Sequence, residues 1–214
     1  MSRAEAPAFT LIEMLVVVSI IALIVAAMAP MVFSAVASSR LSTAGQSVAA
    51  TISYARQKAI SSNQEVEVRF FAYDDPDRPG TDVLYTAVGL FANTDRSAKV
   101  STGAAAMYSQ QIGSLLYLPS GIAFGANTTL SPFLAGAQAQ LFPDRQNSIS
   151  KANAQYKKFS IYPDGTTDLR LGTQECYVTL VEERYAIGGA GELPRNFFAI
   201  QFDRMTGRAT TYRP

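Results

Sequence analysis

The chain has 214 residues, enough for one ordinary domain and an appendage. Its 18 basic and 17 acidic residues leave a net charge of +1, which excludes a strong overall attraction to nucleic acid. Histidine is absent and Cys176 is the single cysteine, which excludes the usual general base at neutral pH, an intrachain disulfide and a thiolate metal site. We therefore predict no enzymatic activity, no cofactor, and a buried apolar role for Cys176.

The front of the chain is dominated by an apolar run over 11–33, "LIEMLVVVSIIALIVAAMAPMVF", which Glu13 and Ser19 interrupt. A helix rises about 1.5 Å per residue, so roughly 20 apolar residues cross a bilayer core of about 30 Å. The run predicts that the first half of an N-terminal helix, 9–33, is embedded in a membrane.

Two ordinary explanations compete for this run. A cleaved secretory signal needs a small-x-small cleavage site, which Ala27 and Ala29 supply, although Pro30 would follow the cut. A plain signal anchor, holding a simple periplasmic protein in the membrane, accounts for the length of the run and for the weakly positive front at Arg3. Neither explanation accounts for Glu13.

A third explanation rests on "AFTLIE" followed at once by the apolar helix, which resembles the N-terminus of type IV prepilins and type II secretion pseudopilins. The resemblance implies a leader peptide, 1–8, that a prepilin peptidase removes between Ala8 and Phe9. The family usually has glycine where Ala8 stands. The resemblance also implies N-methylation of the new terminus at Phe9 and a helix kink at Pro30.

Glu13 is the residue that this resemblance explains best. An acidic side chain inside a membrane helix costs about 2.5–3.5 kcal/mol and usually has a partner, but the apolar run holds no lysine or arginine. The resemblance implies that the free amine of Phe9 on a neighbouring subunit is the partner, so that Glu13 sets the register between subunits. The alternative is that Glu13 lies at the membrane boundary and reaches the headgroups.

Beyond Pro30 the helical pattern continues with a different character. Apolar residues recur at spacings of three and four and form an amphipathic stripe, against which a domain can pack. The stripe comprises Leu41, Ala44, Val48, Ile52, Ala55 and Ala59. We predict one helix over about 10–62, with its amphipathic half at 34–62 and its end near Asn63.

The remainder, 63–214, predicts a β-rich globular head. Strands are indicated in "EVEVRFFAY", "DVLYTAVGLFA", "SLLYLPSGIAF", "KKFSIYPDGTTDLRL", "ECYVTLVEE" and "NFFAIQFDRMTGRATTYRP". Turns at Pro-Asp-Gly and Met-Thr-Gly divide two of these runs into hairpins. The segment 125–155 is rich in small and polar residues, and we predict a surface insertion with a short helix near 131–141.

These elements predict an α+β fold, in which the long N-terminal helix packs against a sheet of six or seven mostly antiparallel strands. The passage "YARQKAISSNQEVEVRF" resembles the helix-to-strand junction of the GspH/FimT-like minor pseudopilins. That group also tends to carry a "PDG" turn and a "TGR" hairpin near its end, which are found here at 163–165 and 206–208.

Four aspartates share the loop "DDPDRPGTD", and oxygen-rich loops can hold calcium. They are Asp74, Asp75, Asp77 and Asp82. Asp-Pro and Pro-Gly pairs also form turns for local reasons, and the spacing does not fit an EF-hand loop. We predict a solvated turn without metal, with a calcium loop as the alternative.

Three arginines, Arg204, Arg208 and Arg213, gather near the C-terminus. Some FimT-like minor pilins use arginines in this region to hold DNA. Phosphate binding needs several cations on one face, and three arginines with Asp203 among them make a thin patch. We predict a solvated hairpin, with DNA contact as the alternative.

The resemblance implies a structural subunit of a type II secretion pseudopilus or a type IV pilus-like filament, held in the bacterial inner membrane with its head in the periplasm. The implied partners are other pilins or pseudopilins, a prepilin peptidase, an inner-membrane assembly platform and membrane lipid. A rival interpretation is a pilus-tip module that captures DNA or another ligand. Catalysis is disfavoured, since Glu182 and Glu183 would point to opposite faces of a strand.

Overall fold

A computed structural model describes most of the chain, although the side chains of 28–34 and of a few residues at element ends are not described. The described ranges are 10–73, 84–93, 109–136, 140–141, 155–169, 176–187 and 194–214. The chain divides into two compact units, Met1–Ser39 and Arg40–Pro214. The leader, Phe9 and the four loop aspartates lie outside the described residues.

The first helix, α1, occupies Leu11–Ser62 and continues through Pro30. Its end is built by Asn63, whose φ of 51° places it in the left-handed region. The Gln64 amide donates to the Ala59 carbonyl at 3.3 Å and the Asn63 amide donates to the Ile60 carbonyl at 3.4 Å. This is the Schellman arrangement that closes a helix, and it stands where the sequence predicts the end.

The amphipathic stripe of α1 is confirmed as the side that faces the core of the second unit. All six of its members are buried, with exposures between 0% and 3%. Gly45 lies beside the stripe, and a Cβ atom built on it would lie 2.3 Å from Cδ1 of Phe198. Glycine, a poor helix former, therefore stands at this position because a ring occupies the space of its side chain.

The second unit contains an antiparallel sheet, which confirms the α+β class. Its strands are β1 (Val66–Tyr73), β2 (Leu84–Asn93), β3 (Ser109–Tyr117), β4 (Ile122–Phe124), β5 (Gln140–Leu141), β6 (Gln155–Ile161), β7 (Tyr177–Glu182), β8 (Phe198–Phe202) and β9 (Ala209–Tyr212). Their order is β5-β6-β1-β2-β4-β7-β8-β9, with β3 also paired to β2. Two short helices, α2 (Pro132–Gly136) and α3 (Glu183–Ile187), follow β4 and β7.

The face of the sheet that carries Val68 and Phe70 packs with the stripe of α1 in one hydrophobic core. Phe70 lies at the centre of an aromatic group, with ring centroids 5.3 to 6.4 Å away. The other rings belong to Phe124, Phe133, Phe159 and Phe202. Edge-to-face pairs within it, such as Phe70 with Phe124, add to the stabilisation from burial alone.

The opposite face of the sheet carries a buried ion cluster. Arg69 Nε donates to Glu67 Oε2 at 2.8 Å, and Lys158 forms an ion pair with the other carboxylate oxygen. The Arg69 guanidinium lies 4.1 Å from the ring centroid of Phe91 and 4.8 Å from that of Tyr156. Opposite charges on neighbouring strands, covered by aromatic rings, give this face a small core of its own.

Three sequence predictions about the head need correction. The short helix expected near 131–141 is present but spans only Pro132–Gly136, and Gln140–Leu141 forms β5 instead. The same segment is not a surface insertion throughout, because Leu130, Phe133 and Leu134 are buried. The described residues contain nine strands instead of six or seven, since short strands such as β4 and β5 lack a periodic signal of their own.

Two local predictions are also corrected. The second strand expected after the Pro-Asp-Gly turn is reduced to one bridge, between Ile161 and Thr167, in the described residues. Glu183 does not continue β7, because it begins α3. Both segments leave the sheet after a few residues, which a run of β-forming residues does not reveal.

Candidate functional site

The first half of α1 exposes apolar side chains on every side. Each residue from 10 to 27 is exposed, with values such as 84% for Leu11 and 73% for Leu23. Soluble monomers rarely expose contiguous apolar surface beyond a few hundred Å². This part of the helix is therefore suited to surroundings that are themselves apolar.

A membrane-embedded half was predicted for 9–33. In the part of the chain that the structure describes, no helix has both the length and the apolar character needed to cross a membrane.

Thr10 and Glu13 form a capping box at the start of α1. The Thr10 amide and hydroxyl donate to Glu13 Oε2 at 2.8 and 2.7 Å, and the Glu13 amide donates to Thr10 Oγ1 at 3.3 Å. In such a box the two residues satisfy each other's free helix-end groups. The carboxylate therefore has a partner within its own chain, which the Thr-x-x-Glu spacing could have revealed and our sequence reasoning missed.

Ser19 is the other polar residue in this part of the helix. Its hydroxyl donates to the Leu15 carbonyl at 2.7 Å, a bond that satisfies serine inside a helix. The Ser19 hydroxyl therefore finds its partner inside the helix itself. The run can enter an apolar environment without leaving the Ser19 hydroxyl unsatisfied.

The predicted cleavage and methylation residues, Ala8 and Phe9, lie outside the described residues. At Pro30 the backbone is helical, and the predicted kink stays a prediction. The four loop aspartates at 74–82, for which a solvated turn was predicted and a calcium loop was the alternative, also lie outside the described residues. Within the described residues no group of three or more Cys, Asp or Glu side chains is placed to hold a metal ion.

The C-terminal arginines do not form one cluster. Arg204 is half-buried, and its Nε donates to Cys176 Sγ at 3.1 Å. Arg208 and Arg213 are exposed and stand at opposite ends of β9. The solvated hairpin stays the prediction, with DNA contact by the three residues as its alternative. Cys176 packs against the hydrophobic core, as an apolar role predicts, but it is half-buried instead of buried.

The hairpin between β8 and β9 is fixed to α1 and to the Pro-Asp-Gly turn. Arg56 Nε donates to the Thr206 carbonyl at 2.6 Å, and the Thr167 amide donates to the Arg204 carbonyl at 3.2 Å. Gly207, at φ 63°, passes so close to the turn that a Cβ atom would lie 2.8 Å from the Gly165 oxygen. The two motifs noted in the sequence therefore form one contact.

Asp203 caps the turn of this hairpin. Its carboxylate accepts hydrogen bonds from the Thr206 hydroxyl at 2.7 Å and from the Met205 amide at 2.9 Å. These bonds, that of the Thr206 hydroxyl first, hold the pKa of Asp203 below its ordinary value. They fix the turn because a carboxylate that accepts several donors makes a local Asx-type turn.

Comparison with known families finds two matches. The family model "Type II transport protein GspH" matches residues 44–141, which run from the amphipathic half of α1 to β5. The model "Prokaryotic N-terminal methylation motif" matches residues 7–29, which include Phe9 and Glu13.

Comparison with individual proteins adds one solved structure. No curated protein matches the chain significantly. The structural comparison matches the chain with the minor pseudopilin EpsH from the type 2 secretion system of Vibrio cholerae, at 11% identity and a TM-score of 0.40. That alignment covers 82% of this chain and 96% of the EpsH chain.

Proposed function

We propose that this chain is a minor pseudopilin of the type II secretion family, a subunit of a pseudopilus assembled through its N-terminal helix. The family-model matches at 7–29 and 44–141 support the proposal. Pseudopilins are structural subunits, so the chain is not an enzyme.

The observation that carries the proposal is the exposure of the apolar helix over 10–27. Apolar surface left in water costs roughly 25 cal/mol per Å², so this part of the helix needs an apolar cover both before and after assembly. A bundle of like helices covers this surface on all sides. Within the described residues, no contact inside a single chain covers it. Before assembly, we propose, lipid of the inner membrane covers the same surface, while the head lies in the periplasm.

Processing completes the assembling end in this proposal. A prepilin peptidase cuts between Ala8 and Phe9, and the new amine at Phe9 is methylated. Support comes from the methylation-motif match, which spans this position. The cut leaves Glu13 in the first turn of the helix.

Glu13 is then able to pair with the amine of a neighbouring subunit. The Thr10 amide and hydroxyl donate to Oε2 of Glu13, whereas Oε1 accepts no hydrogen bond from any other described residue. The electrostatic attraction between a cation and Oε1 is far stronger in an apolar surrounding than in water. Only one axial displacement between neighbouring subunits brings the amine of one subunit to Glu13 of the other, so Glu13 sets the register. An inner-membrane assembly platform delivers the subunit to the filament.

Mass spectrometry of the N-terminus of the protein purified from membranes tests the processing. We expect a chain that begins with N-methylated Phe9. An intact Met1, or a terminus at Pro30, would contradict the proposal, because the first means no processing and the second means a cleaved secretory signal.

Incorporation into sheared filaments tests the register. We expect Glu13→Gln to reduce incorporation at least about tenfold, because a neutral amide cannot form the ion pair, while the matched head variant Glu65→Gln incorporates normally. Normal incorporation of Glu13→Gln would exclude the register role. Equal losses in both variants would show that the defect is not specific to the apolar helix.

A further inference from the structure

The outermost strand on one side of the sheet, β9, is exposed. β9 stands at the end of the strand order, and among the described residues it pairs with β8 alone. Ala209 is half-buried, whereas Thr210, Thr211 and Tyr212 are exposed. An exposed edge strand offers a row of backbone donors and acceptors to another chain.

The register identifies which backbone groups point outward. The Asp203 amide donates to the Arg208 carbonyl at 2.8 Å, so these two residues form a hydrogen-bonded pair. Hydrogen-bonded and non-hydrogen-bonded pairs alternate along an antiparallel ladder. With Thr210 opposite Gln201 and Tyr212 opposite Ala199, Thr210 and Tyr212 bond to β8. The amides and carbonyls of Ala209 and Thr211 therefore point away from the sheet.

This edge lacks the features that usually prevent strand pairing. The strand "ATTY" has no charged residue, proline or glycine, and its four residues pair with β8 without a bulge. The bulge of this hairpin, where Gly207 and Arg208 both bond to Asp203, precedes the strand. Natural sheets usually place lysine, proline or a bulge on an exposed edge. The β9 edge is therefore open to strand addition.

An open groove lies on the sheet beside this edge, with a volume of about 800 Å³. Tyr177, Gln201 and Thr210 stand in register across its three strands, and Tyr212 forms its rim. The ring centroid of Tyr212 lies 6.0 Å from that of Phe197, which holds the ring in place. A side chain on an added strand would lie next to Thr210 and Tyr212, where the groove begins.

Charge decides what kind of strand fits. Arg208 precedes β9 and Arg213 follows it, and both are exposed. A second copy adding its own β9 would bring two further arginines to the same edge, and like charges brought close together oppose association. The arginines favour instead a strand with carboxylates at its two ends.

We propose that the β9 edge binds an extended segment of a different protein chain, flanked by acidic residues, by strand addition with one side chain in the groove. Strand addition derives affinity from the backbone and specificity from alternate side chains. The proposal goes beyond the pseudopilus function and does not depend on the apolar helix.

Binding of a synthetic peptide to the full chain in detergent tests the proposal. The probe is a fluorescent seven-residue peptide of alternating valine and threonine, with a central tyrosine and a glutamate at each end. We expect saturable binding, lost when the central amides are N-methylated and weakened about tenfold or more when lysines replace the glutamates. Absence of saturable binding, or equal binding of the N-methylated peptide, would overturn the proposal.

Variants at Thr211 locate the binding on β9. Thr211→Pro removes an outward amide without removing a bond to β8, a position where a strand tolerates proline, and we expect about a tenfold loss of peptide affinity. The matched control, Thr211→Val, keeps the amide and should bind normally. Unchanged binding by a folded Thr211→Pro variant would overturn the assignment to this edge.

Two further measurements separate the proposal from its rivals. If Thr211→Pro abolished a self-association of the chain that sedimentation detects, a second copy would be the occupant and the proposal would be wrong. We expect Glu13→Gln to bind the peptide with unchanged affinity, because this residue lies far from β9 in the sequence and in the other compact unit. Failure of filament assembly and failure of strand addition are thus distinguishable.

Discussion

Arg56 Nε donates a hydrogen bond of 2.6 Å to the backbone carbonyl of Thr206, 150 positions further along the chain. The bond joins the head half of α1 to the turn between β8 and β9. The Arg56 guanidinium also lies against the Pro-Asp-Gly turn, because a Cβ atom on Gly165 would be 3.3 Å from one of its nitrogens. One helix residue therefore holds both turns at the end of the sheet.

Replacing Arg56 by methionine keeps most of the length of the side chain and removes its donors. We expect the free energy of unfolding of the full chain in detergent to fall by about 1 kcal/mol, the usual contribution of one hydrogen bond. Arg40→Met, at an exposed position of the same helix, is the control and should change it little. Denaturant unfolding measures the free energy of unfolding of both variants. Equal free energies of unfolding for Arg56→Met and Arg40→Met would show that the bond contributes nothing to stability.

Gly45→Ala is expected to destabilise the chain although alanine is the better helix former. The added Cβ atom would lie 2.3 Å from Cδ1 of Phe198, a buried ring. Overpacking of this kind costs about 1–3 kcal/mol, which exceeds the gain of about 1 kcal/mol in helix propensity. The double variant with Phe198→Leu should recover part of the loss in denaturant unfolding. Additive effects of the two substitutions would contradict the contact.

Thr10→Val should loosen the first turn of α1. It removes the hydroxyl that donates to Glu13 and accepts from the Glu13 amide, and loss of an N-cap costs about 1 kcal/mol. Hydrogen exchange of the first-turn amides should accelerate about fivefold. Ser19→Ala is the control, because the Ser19 hydroxyl only bonds within the helix. Equal protection in the wild type and Thr10→Val would exclude the capping box.

The hairpin turn should weaken in acid. Because the Thr206 hydroxyl and the Met205 amide lower the pKa of Asp203 in the folded chain, ionisation of this carboxyl stabilises the fold. That stabilisation is fully present above the unfolded pKa of about 3.9 and is lost as the pH falls through the folded pKa. Titration by NMR should give an Asp203 pKa below 3.9, moving upward in Thr206→Val. A pKa of Asp203 that Thr206→Val leaves unchanged would contradict this assignment.

Local patterns in the sequence predicted the elements whose signal repeats within one segment. The six-residue stripe of α1 is buried as its spacing of three and four indicates, because every member faces the same side of a helix. The end near Asn63 and the longer strands follow for the same reason. The family assignment likewise rests on contiguous motifs at the front of the chain and at the junction of α1 with β1.

Contacts between distant segments could not be predicted in this way. The sequence around Arg56 does not indicate its contact with Thr206, and the sequence around Gly45 does not indicate its contact with the ring of Phe198. Both contacts depend on how the sheet, formed by strands that follow α1, packs against the helix. Glu67 and Arg69 stand on one face of β1 by simple alternation, but only the pairing of β1 with β6 brings Lys158 to them.

The sequence by itself determined the apolar front, the amphipathic helix and the strand-rich head, because side-chain periodicity fixes which residues share a face of a helix or a strand. The tertiary structure alone decided that β5 replaces the end of a helix, which residues anchor the β8–β9 turn, and that β9 is left at an edge. These outcomes depend on strand order and on close packing between segments far apart in the chain, and no local spacing encodes either.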